Sequence, residues 1–433
     1  MITDPGVLTD ATNTFNPCTN AGTKGGIWTF GHLIREMANT PATGVTPEDF
    51  LKNWLNTWTV PQTVNGDIIT PRPQIAQILL NWQTLCGTGN PLDVDKAPFK
   101  LIAIVNRLDL GGSSAYGFKN PGEGRFVFCA INDDCTVMRN PQPFMVIFEY
   151  GIPKSKCVDL KAYAQEWYDL KLLPLGLPAY NNALGAITKQ FTEANLAPSK
   201  PNGNALNQIR TNELGLGVGP WELREFNIDA ISHQLIDTTV KQEPQIPFNN
   251  EHFAKNPADV QDMATFVNNN EPQFLSVTYS IPLTVPLSSK PFLAGKAHTL
   301  DPSNYHWDGT TTAGPSFINS DSARFQLSLN TCSGCHGGEA NTGNFMHVAP
   351  SIPNGVPAQL SGFITGNPPF SASPFKVQDR ANRPSGSPQV RGFNDLERRG
   401  LFLEAAIKKS CSPKVLLPDL VAALTFKPLN MVH

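Results

Sequence analysis

The sequence predicts an α+β fold, in which helices cover a mixed antiparallel sheet and a helical, loop-rich segment follows at the C-terminal end. Three observations lead to this class. Short segments rich in β-branched and aromatic residues, bounded by turn residues, occur at 101–110, 125–131 and 144–150. Helical periodicity precedes these segments and returns after them. From about residue 291 the chain becomes rich in loops before another helical region begins.

Three segments follow from this alternation. Residues 1–95 are predicted to be mostly helical, because Thr46-Pro47-Glu48-Asp49 combines an N-cap, a first-turn proline and two acids at the positive end of a helix dipole. Residues 96–290 are predicted to form the α+β domain, and residues 291–433 the C-terminal domain. Further strands are predicted at 221–228 and 235–241, and further helices at 159–170, 179–194, 257–267 and 393–411.

Charge and hydropathy narrow the classes of function. The chain has 433 residues and a formal net charge of −3, without a basic stripe that could meet phosphates, so we expect no nucleic-acid partner. No segment approaches the roughly 20 apolar residues of a membrane-spanning helix. The first residues show neither the basic region nor the apolar region of a signal peptide.

The most specific pattern in the chain is Cys332-Ser333-Gly334-Cys335-His336. Two thiols separated by two residues and followed by a histidine form the attachment signature of a c-type haem. Each thiol adds to one haem vinyl group, and the histidine binds the iron axially. Phe325 and Leu329 precede the motif at helical spacing, so we expect one helix to present them and the motif to the same macrocycle.

The C-terminal part of the chain resembles the cytochrome c family. The matching residues are CSGCHGG at 332–338, Ala349-Pro350 a short loop later, and the helix-like segment 357–366. The resemblance covers about 100 residues. It implies that the C-terminal segment is a cytochrome c-like haem domain.

The resemblance also implies roles for individual residues. Cys332 and Cys335 would carry the thioether bonds to haem c, and His336 would be the proximal ligand. In this family a proline after the haem helix commonly offers its carbonyl oxygen to the axial histidine, and Pro350 matches that position. Such a hydrogen bond fixes the tautomer of the imidazole and raises its basicity.

The sixth iron ligand departs from the family pattern. The family usually supplies a methionine some tens of residues downstream, but no methionine lies between Met346 and Met431. We favour His347, since it closely follows the motif and imidazole binds iron well. The alternatives are Met346, Met431, His298, His306 or an open position at which the iron could bind small molecules.

Two alternative interpretations of the motif involve no haem. Cys332, Cys335 and His347 could form a tetrahedral zinc site if a fourth ligand came from elsewhere in the chain. Alternatively, Cys332 and Cys335 could form a redox-active disulfide, although the usual βαβ setting for such a pair is absent from the sequence.

The predicted strands carry an unusual number of charged residues: Arg107, Asp109, Arg125, Glu149, Glu222 and Arg224. One interpretation is a polar pocket, with Glu149 or Glu222 as general acid or base and Arg107 or Arg125 holding an anionic group. The other interpretation is a set of structural ion pairs or of side chains on a solvated face.

Six cysteines lie outside the motif, namely Cys18, Cys86, Cys129, Cys135, Cys157 and Cys411. Their even number is compatible with three disulfides in an exported protein. We predict a Cys129–Cys135 bond, because the short intervening segment is typical of a hairpin loop. The alternative is six buried thiols in a cytosolic protein.

These observations leave three functional hypotheses. The first is an exported monohaem c-type cytochrome that transfers electrons to or from a redox partner protein or a small molecule, with a large scaffold or docking domain. The second is a secreted haem-dependent oxidoreductase with its pocket on the α+β domain. The third is an extracellular structural or binding protein with a zinc or disulfide site. Because c-type haem is attached outside the bacterial cytoplasm, we expect a periplasmic or extracellular location and a leader that has been removed.

Overall fold

The computed structural model of the protein confirms the predicted α+β class. None of the helices in the described part of the chain is long and apolar enough to cross a membrane. The described residues are 1–111, 122–132, 134–137, 143–214, 221–246, 249–276, 282, 284, 291–299, 307, 318–342, 345–351, 356–379, 389–408 and 411.

In the sequence, helices occur both before and after the strands of the large sheet. The helices are α1 (Pro5–Leu8), α2 (Phe30–Ala38), α3 (Thr40–Thr43), α4 (Pro47–Asn56), α5 (Ile75–Cys86), α6 (Cys157–Asp169), α7 (Pro178–Thr192), α8 (Asn250–Lys255), α9 (Pro257–Asn269), α10 (Glu271–Ser276), α11 (Asp321–Leu329), α12 (Cys332–His336), α13 (Gly362–Thr365) and α14 (Asp395–Lys408).

Most strands belong to one large sheet, and the others form small hairpins. The strands are β1 (Phe15–Asn16), β2 (Ala21–Gly22), β3 (Gln62–Val64), β4 (Asp67–Ile69), β5 (Phe99–Arg107), β6 (Glu123–Ala130), β7 (Phe144–Gly151), β8 (Leu206–Glu213), β9 (Trp221–Leu223), β10 (Glu225–Ile228), β11 (Leu235–Thr238), β12 (Ala297–Thr299), β13 (Val348–Ala349), β14 (Gln359–Leu360), β15 (Phe375–Gln378) and β16 (Val390–Phe393).

The large sheet has eight strands in the order β11-β10-β8-β7-β6-β5, with β9 paired to both β8 and β12. Every one of these pairings is antiparallel. Four consecutive strands, β5 to β8, lie side by side, which is the arrangement that short connections favour. The remaining described pairs are the hairpins β1–β2, β3–β4, β13–β14 and β15–β16.

The two faces of the sheet have different partners, because successive side chains of a strand point to opposite faces. Phe126, Phe128 and Phe148 face a core that includes residues of α2, α4, α5, α6, α7 and α14. Val127 and Met145 face a second core, which contains Cys332 of the motif. The sheet therefore separates a helical layer from the layer that holds the motif.

The helical core contains residues from all three segments predicted from the sequence. Trp54 from the first segment, Phe126 from the second and Phe402 from the third belong to one hydrophobic cluster. The α14 helix, although close to the C-terminal end, thus packs over the sheet beside α6. The division into three domains stays a prediction.

Local sequence signals predicted many elements correctly. At the start of α4, Thr46 caps the helix, and its hydroxyl accepts a hydrogen bond from the Asp49 N–H at 3.1 Å. The predicted strands at 101–110, 125–131 and 144–150 correspond to β5, β6 and β7. The predicted helices after residue 159, after residue 179 and after residue 257 correspond to α6, α7 and α9.

Two features of the sheet differ from prediction. The predicted strand at 221–228 is divided at Arg224 into β9 and β10, which pair with different parts of β8. The central strand β8 was not predicted, because its residues Asn207 to Glu213 are mostly polar, yet most of them are buried. Their burial depends on partners from neighbouring strands, which local pattern cannot reveal.

Candidate functional site

The five residues of the CSGCH motif form the short helix α12, and all five are buried. The hydroxyl of Thr331 caps this helix by accepting a hydrogen bond from the Gly334 N–H at 2.9 Å. Gly334 lies so close to the preceding turn that a Cβ there would be 2.0 Å from the Ser328 carbonyl oxygen. The motif is therefore held by a tight local turn.

A buried carboxylate from outside the motif reaches α12. Ser333, between the two cysteines, donates its backbone N–H to Glu243 Oε2 at 3.1 Å and its hydroxyl to Oε1 of the same residue. Glu243 is itself buried. Hydrogen bonds to a carboxylate are stronger than those to a neutral acceptor, so Glu243 holds the motif firmly against its own segment of the chain.

The expectation of one continuous helix through the motif is wrong. The extended backbone of Thr331 separates α11 from α12. As a result Phe325, Leu329 and Cys335 belong to one hydrophobic cluster, whereas Cys332 belongs to the cluster against the sheet. The helical spacing was present, but the capping threonine begins a new helix.

His336 is held by a backbone carbonyl. Its Nδ1 lies 2.5 Å from the Phe345 carbonyl oxygen. Because a carbonyl oxygen only accepts hydrogen bonds, Nδ1 carries the proton, and the lone pair of the neutral ring is on Nε2. Burial keeps the pKa of His336 well below its usual value, so the ring is neutral. The expected acceptor, the Pro350 carbonyl, is wrong: Phe345 occupies that role.

Two sheet residues extend this interaction. Asn212 donates its side-chain amide to the Phe345 carbonyl oxygen at 3.1 Å, and Trp221 Nε1 donates to Asn212 Oδ1 at 2.9 Å. Since the indole N–H can only donate, it fixes which end of the Asn212 amide faces Phe345. The Trp221 ring also lies against His336, with 4.7 Å between ring centroids.

His347 lies beside the motif as predicted from its sequence position. Its Nε2 is 3.4 Å from Cys335 Sγ, and its Nδ1 is 2.9 Å from the Ser361 hydroxyl. Burial lowers the pKa of His347 to about 3 and raises the pKa of the Cys335 thiol. The Cys335 thiol and the His347 ring therefore lie beside each other as neutral groups, and the ring centroid of His347 is 5.1 Å from that of His336.

The other proposed ligands have different positions. Met346 is buried in the cluster against the sheet. His298 lies on β12, where its backbone carbonyl accepts a hydrogen bond from Ser333 at 3.5 Å. Met431 and His306 lie outside the described residues.

A cavity of about 50 Å³ lies between the motif layer and the sheet. Both His336 and His347 line it, together with the charged residues Arg125, Glu149 and Arg210. The rest of the described lining is mostly apolar, including Val105, Val127, Met145, Ile147, Leu223, Val348 and Ile364. The structure thus brings two of the charged strand residues to the two histidines.

These charged residues form a row of ion pairs across the strands. Arg125 contacts Glu123 at 2.6 Å and Glu149 at 3.1 Å, and Arg210 lies 3.8 Å from Glu149 and 3.0 Å from Glu225. Antiparallel register explains the row, because Arg125 pairs directly with Glu149 and Arg210 directly with Glu225. Burial raises the pKa of Glu149, although both arginines oppose the shift.

Arg107 and Glu222 belong to other ion pairs. Arg107 Nε lies 3.0 Å from Asp109 Oδ1, and Asp109 also contacts Arg398 of α14 at 2.6 Å. Glu222 contacts Arg72 at 3.0 Å and Arg224 at 3.4 Å. The structure therefore does not gather the four predicted charged candidates into one pocket.

The disulfides differ from the prediction. The bonds are Cys18–Cys135 and Cys157–Cys411, and the predicted Cys129–Cys135 bond is wrong. Cys129 is buried as a thiol on the motif face of β6, whereas Cys135 reaches the N-terminal segment. Cys332 and Cys335 are also thiols.

The described residues contain no group of three or more His, Cys, Asp or Glu that could hold a metal ion. The zinc site proposed for Cys332, Cys335 and His347 stays a prediction.

Comparisons with known proteins identify no relative. No protein-family model, no curated protein and no solved structure matches the chain. Sequence reasoning identified the motif and His347, but it did not find Glu243, Asn212, Phe345 or Arg210. These residues are isolated in sequence and carried no pattern that could have indicated them.

Proposed function

We propose that the protein is an exported monohaem c-type cytochrome that transfers electrons. Haem c would be linked to Cys332 and Cys335, with His336 as proximal ligand and His347 as second axial ligand. The observation that carries the proposal is the hydrogen bond from His336 Nδ1 to the Phe345 carbonyl, which directs the Nε2 lone pair away from that carbonyl. A ligand histidine in metal sites is typically held in this way.

The donor set fits a haem. The two motif cysteines are thiols, as thioether formation requires, both histidines are neutral, and the proton of His336 is on Nδ1. The cavity of about 50 Å³ is much smaller than a tetrapyrrole, so binding requires the side chains between the motif and the sheet to move apart. Bound haem would supply a one-electron iron couple. The chain would orient the ligands and exclude water.

Two disulfides support the proposed location. Disulfides persist in the periplasm and outside cells and are rare in the reducing cytoplasm. Cys18–Cys135 and Cys157–Cys411 are therefore consistent with the same compartments in which c-type haem is attached.

A second candidate function is a haem-dependent oxidoreductase. It is favoured by one observation, the presence of Arg125 and Glu149 in the cavity that His336 and His347 line. Glu149 would act as acid or base and Arg125 would hold an anion. Their mutual ion pair is an argument for a structural role instead. The zinc or disulfide alternative has no comparable support.

The deciding experiment is an absorption spectrum of protein matured in a host that attaches c-type haem, with a pyridine haemochrome assay. We expect one haem per chain. His336→Ala should lose the normal spectrum, His347→Ala should keep covalent haem but lose the six-coordinate low-spin bands, and the control His252→Ala should match the wild type. An unchanged His336→Ala spectrum would overturn the ligand assignment.

The oxidoreductase candidate needs a separate measurement. Hydrogen peroxide with an artificial electron-donor dye is the probe. If the candidate is correct, Glu149→Gln lowers turnover at normal haem content, whereas Glu225→Gln, a buried carboxylate of the same ion-pair row outside the described cavity lining, does not. Equal turnover in the two variants would leave electron transfer as the function.

A further inference from the structure

Outside the candidate site, a lysine, an asparagine and a glutamate follow one another in hydrogen-bond contact. Lys200 lies in the turn before β8, and its Nζ is 2.6 Å from Oδ1 of Asn207, near the start of that strand. The side-chain amide of Asn207 donates from Nδ2 to Glu123 Oε1 at 2.9 Å. Glu123 begins β6 and is buried. The fold therefore holds an amine, a carboxamide and a carboxylate in series.

The amine is close to the carbonyl carbon of Asn207 as well as to its oxygen. Since a C=O bond is about 1.23 Å long, Lys200 Nζ is no more than about 3.8 Å from Asn207 Cγ. Atoms that are positioned to react with each other are typically about 3–3.5 Å apart. The Lys200 amine is thus within reach of attack on the Asn207 carbonyl carbon.

Two backbone carbonyls orient the same amine. Lys200 Nζ donates to the carbonyl oxygens of Ala205 at 3.0 Å and of Leu206 at 3.2 Å. An ammonium group has three N–H bonds to donate, whereas a neutral amine has two and a lone pair. In the neutral form the two backbone carbonyls take both N–H groups, because a carbonyl oxygen only accepts. The lone pair is then on the side of Asn207.

The surroundings of Lys200 favour this neutral form. Burial lowers its pKa to about 8, with Lys241 adding to the shift and Glu123 opposing it. A lysine with a lowered pKa is a stronger nucleophile near neutral pH, because more of its amine is unprotonated. The geometry and the local environment therefore point to the same reaction.

We propose that Lys200 and Asn207 form an intramolecular isopeptide bond, with Glu123 as proton shuttle. The Nζ lone pair attacks Asn207 Cγ, and Glu123 takes a proton from Nζ and delivers it to Nδ2. The Nζ–Cγ bond forms, the Cγ–Nδ2 bond breaks, and ammonia leaves, so the step consumes no oxidant. Arg125 positions the Glu123 carboxylate, with 2.6 Å between Nη2 and Oε2. The product ties the turn before β8 to the strand itself.

The test is mass spectrometry of the peptide 194–213, which a glutamate-specific protease releases from the reduced and denatured full chain between Glu193 and Glu213. We expect a mass lower than that of the sequence by about 17 Da, the mass of ammonia. Because the bond closes a ring from Lys200 to Asn207, single backbone cleavages between these residues should release no fragment ions.

Variants identify the three partners. Lys200→Arg and Asn207→Ala should each give a peptide with the full mass of its own sequence. Glu123→Gln should be purified mostly without the bond, because general acid–base catalysis contributes about a hundredfold or more to such a step. Lys189→Arg and Asn182→Ala make the same changes at exposed positions of α7, and both should keep the loss of ammonia.

The outcomes separate the proposal from its alternatives. A wild-type peptide of full mass overturns the bond. A loss of ammonia that persists in Lys200→Arg comes from ring closure at Asn202-Gly203, and it overturns the bond as well. A loss that Glu123→Gln leaves unchanged overturns the shuttle, and the wild type and Lys200→Arg decide the bond even if Glu123→Gln fails to fold. The peptide lies outside the motif, so these readouts do not depend on the cytochrome proposal.

Discussion

Asn212 on the central sheet and His336 in the CSGCH motif donate hydrogen bonds to the same acceptor, the carbonyl oxygen of Phe345. The two donors share the electron density of one oxygen. The stronger the Asn212 bond, the less basic the acceptor that remains for His336. Because the strength of the Nδ1–H bond sets the basicity of Nε2, a sheet residue influences the basicity of the motif histidine.

The first prediction concerns this shared acceptor. If the protein carries the proposed haem, Asn212→Leu should strengthen the His336 bond, favour Fe(III) and lower the reduction potential. We expect a shift of roughly 30–60 mV, which corresponds to a three- to tenfold change for a one-electron couple. A spectroscopic redox titration measures it. Asn81→Leu is the matched control, since Asn81 is a buried asparagine that donates to the Ile131 carbonyl away from the motif. A potential equal to the wild type in Asn212→Leu would contradict the coupling.

The second prediction concerns the space at the motif. Gly334→Ala should destabilise the fold by about 1–3 kcal/mol, the usual cost of overpacking, because the new Cβ would collide with the Ser328 carbonyl oxygen at 2.0 Å. Gly400→Ala is the control, since a Cβ at this exposed position of α14 meets nothing within 4 Å. It should stabilise the protein by about 0.5–1 kcal/mol, because alanine restricts the unfolded chain. Urea unfolding distinguishes the two signs.

The third prediction concerns pH. Asp237 lies on β11, and neither of its buried carboxylate oxygens has a hydrogen-bond partner among the described residues. Burial raises its pKa from 3.8 to about 7, with Glu213 and Glu222 adding to the shift and Arg224 opposing it. Since the folded pKa is the higher one, the stabilising contribution is fully present below pH 4 and is lost as the pH rises through 7.

Asp237→Asn should therefore leave stability unchanged near pH 4 and increase it near pH 8, by on the order of 2–4 kcal/mol. Asp229→Asn provides a control of opposite sign. Hydrogen bonds from Ser232 lower the pKa of this exposed carboxylate, so its contribution is present at neutral pH and is lost on acidification. Denaturant midpoints at both pH values test the pair. A pH-independent effect of Asp237→Asn would refute the assignment.

The fourth prediction concerns the Cys157–Cys411 disulfide, which connects the start of α6 to the residues after α14. Replacing both cysteines by alanine should lower the free energy of unfolding by about 2–5 kcal/mol, the usual cost of losing a native disulfide. Thermal unfolding with and without reductant measures it. Cys86→Ala, which removes a buried thiol outside any disulfide, is the control. Reductant should destabilise this variant as much as it destabilises the wild type.

The elements that sequence predicted well are those with local signals. The α4 helix has its capping threonine and first-turn proline, and β5 to β7 are apolar strands bounded by turns. The β8 strand was missed because its polar residues are buried only through partners on other strands. Arg210, for example, needs Glu149 and Glu225, which lie on β7 and β10.

In the candidate site, too, the features with local sequence signals could be predicted and those that depend on distant residues could not. The motif and His347 are close in sequence, and their proximity could be predicted. The groups that orient them could not, since Asn212 is 133 positions from Phe345 and Glu243 is 90 positions from Ser333. Which carbonyl oxygen accepts the hydrogen bond from His336 depends on the turn after α12. The family pattern indicated Pro350, whereas the structure has Phe345 in this role.

The Cys157–Cys411 bond also constrains the order of events during biogenesis. Its two cysteines are 254 positions apart, and Cys411 is made after the whole motif. The covalent loop that contains Cys332, Cys335 and both histidines therefore remains open until Cys411 has been synthesised. The finished fold buries the motif. Its thiols can therefore be modified only during the period before this loop closes and the motif layer packs against the sheet. A compartment that oxidises thiols too quickly would shorten that period, so the oxidation rate and the yield of the proposed haem attachment should be inversely related.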